Sequence, residues 1–349
     1  GLAASDSTDL IGNIRNLNIL VNGSKGVGIL RNANYVATED ATGLPFGDII
    51  LKNINVQSLG FGANAESSSL IRSDRSKLIL DRDLTLSTVL SLGKQDNVVM
   101  LANNSSAANA GNPLYTAKVE NRAKIEIGSG MFGTTGILSV NGGEAINGAA
   151  GTIIVDSEKS QGIAVLANST GINNGIVTVN GEGSVGVANM GIFTMTSGTI
   201  EAAGDQSVAI YAGANNNQTN LNGGIIKSSN NGINLFTGDN ATININGTSL
   251  EVNDKGLLAY TYKDAVTTTS TGHINITATS ANATINAGGT AFYLKGDPSD
   301  ITNFINSVFT GPGVLNLNMA STDSRLFILD SPSTPITLST ATGTAVSSL

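Results

Sequence analysis

Residues 160–181, "SQGIAVLANSTGINNGIVTVNG", set two apolar beats one after the other, each closing on Asn or Gly. Within Gly162-Ile163-Ala164-Val165-Leu166, Ile163 and Val165 alternate with Ala164 and Leu166, a period of two that belongs to strands. Six further segments lie beneath this beat, at residues 25–30, 97–101, 184–188, 207–211, 232–236 and 256–260, with a looser one at 289–293. From Gly162 onward the beats begin 22, 23, 25, 24 and 33 residues apart. A period in the low twenties marks a solenoid.

Corners fall at Asn22-Gly23, Asn141-Gly142, Asn180-Gly181, Asn222-Gly223 and Asn246-Gly247. Asn and Gly accept positive φ at low cost, so they punctuate tight turns. Helical spacing is rare, and so are the helix-favouring Glu, Lys and Arg. Each repeat reads as two or three short strands, for example 208–211 then 224–227, or 233–236, 242–245 and 250–252. Stacked in parallel about 4.8 Å apart, the repeats turn Val185, Val208, Ile233, Leu257 and Val187, Ile210, Leu235, Ala259 into two inward columns. One coil cannot bury its apolar face alone; neighbouring coils share that cost. The expected fold is all-β, a right-handed parallel β-helix with coils of 22–25 residues and one short surface helix near 299–309. It forms a single elongated unit over 1–349. Residues 1–130 are less regular, and 131–349 are regular coils with insertions at 261–272 and 295–311.

Composition narrows the function. A net charge of −8 with a pI near 4.6 argues against nucleic acid, because phosphate neutralisation needs clustered Lys and Arg. It argues equally against peripheral binding to anionic lipid. Only 13% of residues are charged and 4% aromatic, with no Trp, which suits a polar-surfaced stack better than a compact enzyme. Cysteine is absent, as suits a chain that crosses an oxidising periplasm unlocked. No run of about 18 apolar residues is present to span a membrane. Gly1-Leu2-Ala3 opens without a signal-peptide pattern, and the chain reads as a piece of a longer one.

"GINNGIVTVNG" (171–181), "GTIEAAGDQSVAIYAG" (198–213) and "GGTAFYLKGDPSDITNFINSVFTGPGVLNLNM" (288–319) carry a resemblance. They are similar to passenger domains of type V autotransporters, and most like the large outer-membrane adhesins of fusobacteria. The resemblance covers residues 130–320 and lies in the joint pattern, not in one motif. It implies a secreted adhesin on the outer-membrane surface, whose only membrane contact is a C-terminal β-barrel outside this chain. Its implied partner is a protein or glycan on another bacterium or on a host cell. Calcium-binding nonapeptide repeats and the Gly-Asp-Ser-Gly motif of protease autotransporters are both absent from the sequence.

Candidate sites follow from residue type and placement. His273 is the only histidine, with no second His, Cys or acid pair beside it, so a surface role is expected and neither a metal nor a cofactor site. The densest charges are Arg72, Asp74, Arg75, Lys77, Asp81, Arg82 and Asp83, a potential two-carboxylate site for glycoside cleavage. Their signs alternate, as in solvated surface pairs. Leu166, Ala188, Tyr211, Phe236, Tyr260 and Tyr293 are expected at one repeat position. Alternation groups them with the small column Ala164, Gly186, Ala209 and Asn234, which places the aromatics outward or at a corner. The long interval carries Lys263 and Asp264, and insertions in solenoids make loops on one face. In "GDPSDITNFINSVFTG" the spacing of Ile301, Phe304, Ile305 and Val308 predicts an amphipathic helix capped by Ser299 and ended by Gly311-Pro312, beside Asp297 and Asp300. Ligand-binding candidates are therefore Tyr211, Phe236, Tyr260, Lys263, Asp264, Tyr293, Asp297 and Asp300. The leading expectation is a non-enzymatic adhesin segment. A polysaccharide-cleaving β-helix, a plain stalk and a toxin-like passenger are the alternatives.

Overall fold

The computed structural model describes residues 2–4, 15–32, 49–51, 55–62, 64–74, 77–81, 84–88, 96–104, 116–213, 218–262, 272–295 and 301–330. Their strands form three long sheets, of 12, 10 and 11 strands, in which every neighbour is three strands away in the chain except the opening pair Leu2–Ala4 and Val27–Asn32, which are two apart. That order is the signature of a coil that lays one strand on each sheet per turn. One full coil runs Val208–Ala212 on the first sheet, Gln218–Leu221 on the second and Ile225–Ser228 on the third. The next coil starts at Ile233–Thr237, and all the pairings are parallel. The chain is a parallel β-helix.

In the regular coils the second and third sheets alternate inward and outward residues, as in Glu144–Asn147 and Thr152–Val155. Ile125, Ile153, Val177, Ile200, Ile226 and Leu250 pair register to register along the third sheet, and all are buried. The residues between them, such as Glu126, Thr178, Glu201 and Lys227, face out. Each inward column is continuous, so a single core runs from Val21 to Leu315. A fully buried aliphatic side chain adds about 1.5–3 kcal/mol, which is why apolar residues recur at the same coil positions.

The first sheet departs from alternation. Ala209 and Ile210 are consecutive and both fully buried, as are Leu258 and Ala259. At the same position Gly162 and Gly186 face inward, their would-be Cβ atoms directed at Val177 and Ile200 of the third sheet. This double-inward step corrects two expectations. Gly186, Ala209 and Asn234 lie inside, not with the aromatics. Val185, Val208, Ile233 and Leu257 form an outward row rather than an inward column, because the bulge leaves the residues on both sides of it facing out. A further correction concerns the opening beat. Gln161 pairs with Val185 and Ala164 with Ala188, so residues 162–166 sit two positions off the expected register. Ala164, not Leu166, belongs to the aromatic position.

Asparagine, whose side chain carries both donor and acceptor, closes one corner from inside. Asn121 Nδ2 donates to Asn147 Oδ1 at 2.9 Å, and Asn147 Nδ2 to Asn173 Oδ1 at 2.9 Å, with all three side chains buried. The next residue in that column is Met195, where the ladder stops.

The helix spans Ile301–Val308, shorter at both ends than the 299–309 expected. Ile305 and Val308 are buried against the core, so it covers apolar surface as its spacing implies. A short strand, Phe309–Thr310, follows it onto the second sheet. Among the described residues no helix is long and apolar enough to cross a membrane.

Near the start of the regular coils, Glu120 is almost buried and lies between two cations. Lys77 Nζ is 2.5 Å from its Oε2, and Arg122 pairs with its Oε1. Burial pushes the Glu120 carboxyl up, but hydrogen bonds and charge from Arg122 and Lys77 outweigh it and hold the pKa below the ordinary glutamate value. A depressed acid contributes stability above its unfolded pKa and loses it as pH falls through the folded one. Glu120→Gln should therefore lower the urea midpoint most at neutral pH. The gap from wild type should close as the pH drops below about 4, near and under the ordinary glutamate range.

Candidate functional site

The outward rows of the first sheet make a groove. Since two residues point inward at each such step, Val208, then Ile233 with Phe236, and Leu257 with Tyr260, line it on the outer face. The groove encloses about 900 Å³ and is walled on the apolar side by Ile233, Phe236, Leu257, Tyr260, Tyr293 and Ile328. That size suits a ligand site.

The aromatic row repeats at the coil spacing. Tyr211 to Phe236 is 5.5 Å between ring centroids, Phe236 to Tyr260 is 5.1 Å and Tyr260 to Tyr293 is 5.1 Å. Phe236 meets Tyr260 edge to face at 72°, and Tyr260 stacks on Tyr293 at 13°. Upstream in the same column stand Ala164 and Ala188. The groove therefore belongs to the coils where rings replace alanines. Tyr211 sits at the head of the row, outside the groove lining.

The polar wall is made by the corner that precedes the first sheet. Gln206, Asn231, Lys255 and Gly288 hold φ of 52°, 64°, 57° and 73° at successive coils. Backbone bonds link the last three, Asn231 N donating to Lys255 O at 3.2 Å and Lys255 N to Gly288 O at 3.1 Å. A left-handed backbone turns the chain sharply, and only Asn231 and Gly288 are residues that favour it. This wall displays Asp205, Asp254 and Lys255, with Arg325 beyond, all exposed. Asp205 Oδ1 accepts from Asn231 Nδ2 at 2.8 Å. Among the described residues, Asp254, Lys255 and Arg325 take part in no ion pair.

Of the eight candidate residues, Phe236, Tyr260 and Tyr293 line the groove and Tyr211 extends their row. Lys263, Asp264, Asp297 and Asp300 lie outside the described residues. Sequence reasoning missed Asp205, Asp254, Lys255 and Arg325. The only signal of Asp205, Asp254 and Lys255 was position in the corner upstream of the aromatic beat, and that of Arg325 its place at the start of the last first-sheet strand.

The charged stretch at 72–83 divides between sheets. Arg72 Nε donates to Asp74 Oδ1 at 2.8 Å on the first sheet, whereas Lys77 belongs to the second and reaches Glu120. Asp81, after that second strand, is exposed. Arg75, Arg82 and Asp83 lie outside the described residues. His273 is exposed at the start of His273–Ile276, its Nδ1 3.0 Å from the Ser307 carbonyl oxygen. A carbonyl only accepts, so Nδ1 carries the proton and the bond ties the helix end to the stack. Among the described residues no three or more His, Asp and Glu side chains are grouped to hold a metal ion.

Fold and groove together define a class: a parallel β-solenoid with an aromatic groove along one outer face. No family model, curated protein or solved structure matches the chain.

Proposed function

We propose that this chain is the binding segment of a surface-displayed bacterial adhesin, with the groove as its contact face for another bacterium or a host cell. The carrying observation is the row of rings from Phe236 to Tyr293, half-buried on an outer face where the preceding coils place alanine. Large rings half exposed at a groove are anchors for a partner, since aromatics concentrate binding energy at interfaces. The rest of the coils hold that face at a distance from the membrane, and many copies on one cell multiply a shallow contact. Export as an autotransporter passenger fits the absence of cysteine and the Gly/Asn-cornered coils.

The test is binding of the fluorescently labelled chain to intact bacterial and host cells, with free sugars and amino acids as competitors. Saturable, competable binding is expected. Tyr260→Ala should weaken it about 30-fold, the loss of one anchor of about 2 kcal/mol. Absence of saturable binding by the folded wild-type chain on any cell would leave a stalk in place of an adhesin.

A further inference from the structure

The groove's ring geometry and its rim charges bear on what it holds. Sugars are bound on aromatic side chains through an open ring face. Tyr260 is packed between rings in the row, stacking on Tyr293 at 13° and meeting Phe236 at 72°. The row therefore offers ring edges, hydroxyls and the aliphatic surface of Ile233, Leu257 and Ile328. Such a surface suits apolar side chains better than a pyranose.

The rim adds polarity along the axis. Asp205 stands at one end and Arg325 at the other, with the adjacent pair Asp254 and Lys255 between them. Paired coils run from Val208 through Ile233, Leu257 and Thr290 to Arg325. Four coil steps at about 4.8 Å separate the charged ends by about 19 Å. At about 3.3 Å per residue, an extended chain of about six residues covers that span.

Resting on the adhesive reading of this groove, we infer that its ligand is an extended polypeptide segment of about six residues. Apolar side chains lie against the ring edges, a cationic end lies over Asp205 and an anionic end over Arg325. A neutral glycan would leave both rim charges without a counterpart. Specificity comes from the charge order, because opposed rim charges select register more than they add affinity.

Fluorescence anisotropy with defined hexapeptides tests this. The probes are labelled Lys-Val-Leu-Val-Leu-Glu and its reversed sequence, the same core with Lys at both ends, and a β-1,4-linked N-acetylglucosamine hexamer. At least one Lys/Glu peptide should bind saturably and compete with cell attachment, and Tyr260→Ala should weaken that binding about 30-fold. Arg325→Glu should weaken the Lys/Glu peptide about tenfold and strengthen the Lys/Lys peptide by a similar factor, as reversal of one rim charge requires. Unchanged circular dichroism and thermal midpoints of both variants separate these effects from misfolding. Three results would overturn the inference: binding of the sugar hexamer but neither peptide, peptide binding unchanged by Tyr260→Ala, or no change of charge preference in Arg325→Glu. If peptides neither bind nor compete while cells are still bound through Tyr260, the adhesive reading stands and the peptide ligand fails. Loss of cell binding altogether would remove both.

Discussion

Phe193→Ala should lower the unfolding free energy by about 3–5 kcal/mol, the range for removing a fully buried Phe. Phe193 has no exposed surface and lies in the second-sheet column between Gly171 and Thr219, the partners it pairs with in the flanking coils. A Cβ placed on Gly171 would come within 3.2 Å of the Phe193 ring and 2.3 Å of Val165 Cγ2, so the glycine is the space that the ring occupies. Removing the ring leaves a void bounded by backbone on neighbouring coils, and a ladder-bonded backbone cannot collapse into it. Because each coil touches only its neighbours, the loss is concentrated locally and should open the stack at this point first. Urea unfolding followed by circular dichroism measures the total. Hydrogen exchange should show faster opening of residues 170–173 and 218–221 than of coils farther off. A loss under about 1 kcal/mol would mean that the column repacks and the Gly171–Phe193 fit is not a constraint.

Asn147→Leu comes next, at about 2–6 kcal/mol. The leucine is close in size, so the cost is not volume. Asn147 is fully buried, accepting from Asn121 Nδ2 and donating to Asn173 Oδ1, each at 2.9 Å. The substitution leaves Asn173 Oδ1 without its donor and Asn121 Nδ2 with only a long 3.4 Å bond to the Thr152 carbonyl, about 1–3 kcal/mol for each buried group. Replacing Asn121, Asn147 and Asn173 together by leucine should cost less per residue than the single change. An apolar column has no orphaned amides, although the Ala123 amide and the Gly151, Thr152, Gly175 and Ile176 carbonyls lose their side-chain partners. Equal or greater cost per residue in the triple variant would show that those backbone bonds, not the side-chain ladder, set the requirement. Denaturant midpoints of the two variants decide it.

Much of this architecture is legible in the primary structure because its cause is local and repeated. Period-two beats, Asn and Gly corners and an interval in the low twenties specify stacked parallel strands, since each coil must present the same apolar positions to the next. The row Tyr211, Phe236, Tyr260 and Tyr293 could be aligned for the same reason. The amphipathic spacing around residue 305 marked the helix on similar grounds, because its periodicity is carried by adjacent turns of one segment.

The failures share a different cause. Simple alternation placed Gly186, Ala209 and Asn234 on the outer face, but the first sheet puts two consecutive residues inward. At that step Gly162 and Gly186 lie against Val177 and Ile200 of the third sheet, a contact across the core that alternation within one strand does not reveal. The same omission placed the row Val208, Ile233 and Leu257 inside, when it is a wall of the groove. Residues 162–166 were read two positions out of register because Ile163 and Val165 satisfy either alignment locally; only pairing with Val187 on the next coil chooses between them. Gln206 and Lys255 take left-handed backbones that neither side chain advertises, and Lys255 is held there by corner bonds to the coils on both sides. By itself, then, the amino-acid order determined the parallel solenoid, its coil length and its column of rings, all consequences of short-range periodicity. The concave face, its opposed charges and the partnership of Asp205 with Arg325 were decided only by tertiary stacking, which brings residues 120 positions apart onto one rim about 19 Å long.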